Sequence, residues 1–449
     1  MKNSTPSGLK KKQFEYWKRY AKHFGVFECI RFNSKVVNVA PQEGEGVMVQ
    51  LASGETLHSR RVALAIGNNS IANYPVWKDL LTDVEYLHSK EYRNAQSMSG
   101  KNVLAVGGGE SGSDIALEVS RVANKCWVSL RNTTGWIVPR RRGIYASDIS
   151  THRGIWGLPR DYGATLSDLI YKAELSHKDP VHNTIVELNK KIKAKKGIWG
   201  IFGTKNISLP KAIVHHECKV VGEIVKVENG GKTLHTACGE TLTNIDAVIF
   251  STGYKNYVSF LPKELKETDP RSLYKHMFHP KYRDKIVWIG WARPGFGSQF
   301  PIMEMQARFF ALICKGERTL PDAPEIERVT SLDRAAYLEQ FQHNAHRVRS
   351  LVDYHCYMDD IASLIGCQPP LWKYFFSHPR IWLTIVYGAT QATQFRLQGP
   401  GKKESLAQET LMKLPLSRFN HIVKAGLKGR MIYTFKALIP KFGFAGFKS

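Results

Sequence analysis

The sequence predicts an α/β fold built on open parallel sheets. Three observations predict it. First, Lys101 to Ala123 reads KNVLAVGGGESGSDIALEVSRVA, a short apolar run, a glycine turn and an apolar stripe at helical spacing. Second, two more apolar runs end at glycine: Val62 to Gly67, and Ala247 through Ser251-Thr252 to Gly253. Strand ends of this kind are where open α/β sheets place ligands. Third, apolar residues make up 43% of the 449 residues, enough for a core and for two or three domains.

In chain order, Phe14 to Phe27 reads as a helix with Phe14, Trp17, Ala21 and Phe24 near one face. Val36 to Ala40 and Val47 to Leu51 alternate as strands, and Val62 to Ile66 is a third, apolar one. Val103 to Val106 is a buried strand. Gly107, Gly109 and Gly112 follow in G-x-G-x-x-G spacing, and Ile115, Ala116, Val119, Val122 and Ala123 mark the helix behind them. A glycine pattern alone is weak. Held between strand and helix, it is a dinucleotide fingerprint. Gly107 permits the turn, Gly109 admits a pyrophosphate, and Gly112 brings the helix close. The first helical amides then face the phosphates.

Cys126 to Leu130 reads as the next strand. An acid at its end would suit the ribose of NAD, but Arg131 stands there, and no acid lies between Lys125 and Arg142. The planar guanidinium fork suits a 2′-phosphate. NADP(H) is therefore expected over NAD(H); the bland alternative is a flexible loop with a solvated arginine. Residues 143–210 are rich in glycine, lysine and aromatics and carry no clear period, save a basic helix over Val186 to Lys196. Glu223 to Val227, Ala247 to Phe250 and Ile286 to Gly290 read as strands. Ile302 to Ile313, with Glu304, Gln306 and Arg308, reads as a helix.

Seven scattered cysteines without a C-x-x-C pair suggest reduced thiols and a cytoplasmic setting. No metal cluster is expected. The net charge of +25 admits nucleic acid, an anionic membrane or anionic cofactors. No zinc finger, homeodomain or RNP motif is present, so no nucleic-acid partner is expected. Apolar runs such as Ile381 to Tyr387 are too short to span a bilayer. Val423, Leu427, Met431, Phe435 and Ile439 recur every four positions beside lysines, with no acid from His421 onward. Two readings stand for 421–449: a helix on an acidic membrane surface, or a helix docked on the core.

Several stretches together carry a family resemblance. They are YAKHFGVFECIRFNSKV, LHSKEYR, GKNVLAVGGGESGSDIA, DAVIFSTGY, FPIMEMQAR, VDYHCYMDDIASLIG and QFRLQGPGK. In combination the chain resembles the flavin-containing monooxygenases of the dimethylaniline monooxygenase type. The resemblance implies two Rossmann-like dinucleotide-binding domains, with the NADP domain inserted in the FAD domain. It implies FAD and NADPH as cofactors, and O2-dependent oxygenation of soft nucleophiles (amine N, thioether S) through a flavin hydroperoxide. It implies Gly107, Gly109, Glu110, Ser111 and Gly112 at the NADPH loop and Arg131 at the 2′-phosphate. Thr252 and Gly253 match the linker between domains, and Gln306 a helix flanking the flavin. His88 and Tyr92 match a family signature whose phenylalanine and glycine are here Thr82 and Val84. No catalytic side chain is implied. A peripheral contact with the endoplasmic reticulum membrane goes with the C-terminal stripe.

The departures shape the expectation. The family opens with a strand and a glycine loop for the FAD pyrophosphate, and nothing before Lys101 has that spacing. Lys403 stands where a tryptophan is usual. The FAD domain is thus expected to be incomplete, to bind FAD poorly and to expose a sheet edge. The expected domains are 1–80, part of the FAD domain; 81–245, the NADPH domain; 246–345, the rest of the FAD domain; and 346–449, a C-terminal region with a basic amphipathic helix. The alternative function is a non-catalytic NADP-binding relative.

Overall fold

A computed structural model of the chain describes residues 6–416, apart from 45, 132–133, 143–144, 159, 161–162, 164, 166, 168–178 and 343–347, together with 427, 428 and 431. The predicted C-terminal stripe over 421–449 lies largely outside the described residues. Two compact units emerge: 1–60 with 258–266, and 61–257 with 267–449.

The first unit holds helix α1 (Pro6–His23) and an antiparallel meander of β1 (Val36–Pro41), β2 (Val47–Leu51) and β3 (Thr56–Ser59). Gly44 and Gly54 take positive φ at the turns, which favours glycine. Val39 N–H donates to the Phe260 carbonyl, tying the returning segment to the meander. The helix ends earlier than its apolar spacing suggests, because Gly25 turns the chain at φ 65°. Phe14, Trp17, Tyr20 and Phe24 stay exposed along it.

The second unit begins with β4 (Val62–Leu64), then β5 (Glu85–His88), β6 (Asn102–Val106), α2 (Glu110–Ser120) and β7 (Lys125–Ser129). A two-residue strand, β8 (Trp136–Ile137), precedes α3 (Pro180–Lys190), β9 (Gly203–Thr204) and α4 (Ser208–His216). Then come β10 (Lys219–Val221), the hairpin strands β11 (Ile224–Glu228), β12 (Thr233–Thr236) and β13 (Thr241–Thr243), and β14 (Ala247–Phe250). Further along are β15 (Phe278–His279), β16 (Arg283–Trp288), α5 (Gln299–Cys314) and α6 (Tyr354–Ile365), with helices Leu371–Ser377, Pro379–Tyr387 and Glu404–Lys413 after them.

Five strands form one parallel sheet in the order β10-β7-β6-β14-β5. A parallel sheet covered on both faces needs near-continuous apolar strands. Val103, Leu104, Ala105, Val128, Val248, Ile249 and Phe250 are accordingly buried. The helix α2 lays Ile115, Ala116 and Val119 on the face that also takes Leu209 and Ala212 of α4. The predicted boundary at 245 cuts this sheet: β14 pairs in parallel with both β6 and β5, so it belongs with them.

The second sheet is smaller, with the order β15-β16-β4. Among the described residues β4 is its edge, and Ala63 there is exposed. Its core continues into α5 and α6 through Ile302, Met305, Phe309, Met358 and Ile361. All seven cysteines are free thiols. No helix among the described residues is long and apolar enough to cross a membrane, and none of their His, Cys, Asp and Glu groups forms a metal cluster.

Candidate dinucleotide site

The site grows out of the turn between β6 and α2. Gly107 leaves the strand at φ 104°, where a side chain would be strained, and its N–H donates to the Ser129 carbonyl at 3.0 Å. A Cβ on Gly107 would stand 2.5 Å from the carbonyl oxygen of Ser251. A Cβ on Gly112 would stand 2.0 Å from the carbonyl oxygen of Gly107. Both glycines therefore exist for close backbone contact within the protein. Gly109 differs: its φ is ordinary, and an added Cβ would meet nothing within 4 Å. The space before it is open on the ligand side. Gly109 caps α2 without a side-chain acceptor, which leaves the first helical amides for an anion.

Gly108, which the spacing rule passes over, is a fourth requirement. A Cβ there would lie 2.6 Å from Leu130 and 2.8 Å from Thr134. The loop after β7 thus presses on the middle of the glycine turn. Arg131 follows Leu130 directly and is exposed, so its guanidinium is available where the sheet reads an adenosine ribose.

Glu110 and Ser111 open α2 and are exposed. The Glu110 carboxylate accepts the Lys205 N–H at 3.1 Å, and its carbonyl accepts from Asn206 Nδ2 at 2.9 Å. Asp114 one turn on takes Ser208 Oγ and Arg140 Nη2. Lys205, Asn206 and Ser208 were not legible as site neighbours. They sit at the end of the aperiodic 143–210 stretch, and only the fold brings them back to the helix.

Thr252 and Gly253 leave β14 beside the same turn, since Ser251 touches both Gly107 and Gly112. Thr252 Oγ1 donates to the Asn73 carbonyl, and the Gly253 carbonyl accepts from Asn73 N–H at 3.0 Å. His88 Nε2 lies 3.1 Å from that same carbonyl, and burial lowers its pKa from the usual histidine value. His88 is thus a latch between β5 and the linker. Tyr92 donates its hydroxyl to Glu118 of α2. Gln306 stands elsewhere. It is fully buried on α5, where Oε1 accepts from Gly290 N–H at 2.8 Å and Nε2 donates to the Tyr357 hydroxyl at 2.7 Å. Its amide shapes the turn after β16.

The flavin-binding monooxygenase-like family profile matches residues 1–442. The chain belongs to that family. It is 31% identical over 427 residues to a 4-hydroxybenzoate brominase (decarboxylating) of Marinomonas mediterranea, covering 90% of this chain and 79% of the brominase. It is 29% identical over 405 residues to flavin-containing monooxygenase 5 of Cavia porcellus, covering 86% of this chain and 73% of that enzyme. The fold is similar to S-allyl-L-cysteine S-oxygenase from Allium sativum, with a TM-score of 0.54 at 16% identity over 95% of this chain and 76% of that one.

FAD and NADPH are the cofactors of this family. The described residues fit them unequally. The open space at Gly109, the uncapped amides of α2 and exposed Arg131 fit NADPH. For FAD there is the β4–β16 parallel pair and a glycine turn at Gly67, with the buried Asn68 Oδ1 lacking a hydrogen-bond partner. Among the described residues, however, the strand, G-x-G-x-x-G turn and helix occur once, at β6–α2. They supply no second pyrophosphate cradle.

Proposed function

We propose that the chain holds NADPH in the β6–α2 cradle and serves O2-dependent oxygenation of a small soft nucleophile, an amine nitrogen or a thioether sulfur. The observation that carries the proposal is the open space before Gly109 at an uncapped helix N-terminus. In this reading the α2 amides hold the pyrophosphate. Arg131 takes the 2′-phosphate, and Leu130 with Thr134 clamps the turn on Gly108. Glu110 keeps Lys205 and Asn206 against the helix. The oxygen chemistry belongs to FAD, as cofactor chemistry does in general. Family membership leaves the substrate open, since the brominase relative is named for 4-hydroxybenzoate.

A second reading has its own support. Among the described residues, the one cradle and the β4 edge favour an NADP-binding protein that does not retain FAD. One experiment separates the two. The purified chain is incubated with excess FAD, gel-filtered, and titrated with NADPH. A stoichiometric flavin band with NADPH oxidation supports the monooxygenase. A colourless chain that still binds NADPH supports the second reading. A chain that binds neither removes both. The basic stripe from His421 onward supports a peripheral membrane contact. Cosedimentation with anionic vesicles that falls with salt would bear this out, and no cosedimentation would remove it.

A further inference from the structure

Helix α1 (Pro6–His23) sorts its side chains cleanly. At about 3.6 residues per turn, Phe14, Tyr16, Trp17 and Tyr20 fall within one arc of about 160°, with Gln13 and Ala21 between them. Lys12, Glu15, Lys18, Arg19, Lys22 and His23 fill the opposite arc. A helix of this kind in a globular domain turns its apolar stripe to the core and its charges to water. Here both faces meet water. The four rings are between 42% and 64% exposed, and every residue from Lys12 to Tyr20 is exposed. The rings pack on one another: Tyr16 and Trp17 have centroids 5.1 Å apart, and Tyr20 and Phe24 4.7 Å. Past the turn at Gly25 the exposed apolar surface goes on through Val26, Ile30 and Phe32. Contiguous apolar surface rimmed by polar groups marks a contact site.

Charge and ring chemistry together name the occupant. From Lys10 to Phe27 there are six lysines and arginines and one acid, Glu15. Their placement matters more than their number. Lys18 borders the aromatic arc on the Phe14 side, and Lys12 and Arg19 border it on the Tyr16 side. An apolar stripe sunk to its margins in a bilayer brings cations on both margins to the plane of the lipid phosphates. Lysine and arginine stems can reach that plane while their heads stay wet. Three of the four rings, Tyr16, Trp17 and Tyr20, also carry a polar tip. Such rings settle where one end is apolar and the other hydrated, at the headgroup level.

We propose that α1 is an in-plane membrane helix, whose aromatic face lies at the headgroup–acyl boundary of an anionic bilayer while Lys12, Lys18 and Arg19 meet lipid phosphates along its margins. The site is α1 itself. It depends neither on the cofactor reading nor on the basic stripe after His421.

The test uses the full chain and phosphatidylcholine vesicles with or without phosphatidylserine. Vesicle binding should rise about tenfold or more with phosphatidylserine. On the unmodified chain, hydrogen exchange over residues 12–24 should slow about fivefold or more on the anionic vesicles. Trp17→Ser together with Tyr20→Ser should weaken binding about tenfold or more, with the melting temperature unchanged, since both side chains are exposed. Lys18→Glu together with Arg19→Glu should weaken binding to the anionic vesicles by a similar factor. Unchanged exchange over 12–24 overturns the proposal, whether or not the variants fold. Full binding by the folded Trp17→Ser, Tyr20→Ser chain overturns it too, and assigns the membrane contact to another part of the protein. A lipid-free dimer that the same two substitutions split makes the face a contact between copies of this chain, and also overturns it.

Discussion

The parallel five-stranded sheet and the mixed sheet of β15, β16 and β4 use the same local grammar with different results. In each, an apolar strand runs into a glycine of positive φ: β6 into Gly107 and β4 into Gly67. At Gly107 a helix starts three residues later, and Ser251, Leu130 and Thr134 close on the turn from neighbouring strands. At Gly67 an added Cβ meets nothing within 4 Å, and β4 is the sheet edge among the described residues. A glycine after a strand is therefore not a cradle. The helix N-terminus and the strands on both sides make it one.

Substitutions at the turn should expose that difference. The largest effect is expected for Gly112→Val. Its Cβ would fall 2.0 Å from the Gly107 carbonyl oxygen, which the backbone cannot yield. We expect a loss on the order of 3 kcal/mol or more, read as a large fall in melting temperature together with lost NADP⁺ binding. Gly67→Ala, with φ 70° but open space, should cost only about 1 kcal/mol and leave NADP⁺ affinity unchanged. Comparable losses at the two positions would erase the distinction between the sheets.

Gly109→Val comes next. The conformation suits any residue and the space is open, so melting should hardly change while NADP⁺ affinity drops about a hundredfold or more. Melting and binding that fall together would mean this glycine is structural, like Gly112. Arg131→Ala should weaken NADPH about tenfold or more and NADH little, measured by fluorescence titration of both. Equal weakening would move the 2′-phosphate contact elsewhere.

The smallest and broadest effect is on acid stability. Burial lowers His88 in the dinucleotide sheet, His152 to about 4 and His276 to about 3. Below the ordinary histidine value near 6.5 the unfolded chain binds more protons than the folded one. Stability should be full above that pH and fall as pH drops from about 6.5 toward 3, by up to ~1.4 kcal/mol per pH unit for each such histidine. His88→Gln should flatten the slope just below pH 6.5, where the unfolded histidine begins to take up its proton. An unchanged slope there would show that the linker latch carries no titration.

The sequence made the dinucleotide half easier to read than its neighbour, for local reasons. Val47–Leu51 and Ala247–Phe250 appear with the expected bounds, because alternation in one and a pure apolar run in the other leave little choice. β5 is not legible in the sequence: Glu85 and Tyr86 are exposed there, and only pairing with β14 makes Glu85–His88 a strand. The basic helix expected from Val186 begins instead at Pro180, set by Asp179, whose carboxylate caps it by accepting from Val181 N–H. It ends at Lys190, the first residue of the lysine run that suggested it. Gly107, Gly109 and Gly112 were readable from spacing. Gly108, Lys205 and Asn206 were not, since each owes its place to a partner distant in the chain.

The position of β14 has a consequence for how the protein is made. It lies between β6 and β5, yet it follows both by well over a hundred residues, Phe250 pairing with Val106 and His88. As the chain leaves the ribosome, β10, β7 and β6 can assemble while β5 waits unpaired across a gap. Two bare strand edges then face each other until Ala247–Phe250 arrives to zip them shut. Long-range closure of this kind is slow and exposes template edges in the meantime. A nascent chain stalled before Phe250 would be a target for chaperones, and one released after it would have closed its dinucleotide sheet in a single late step.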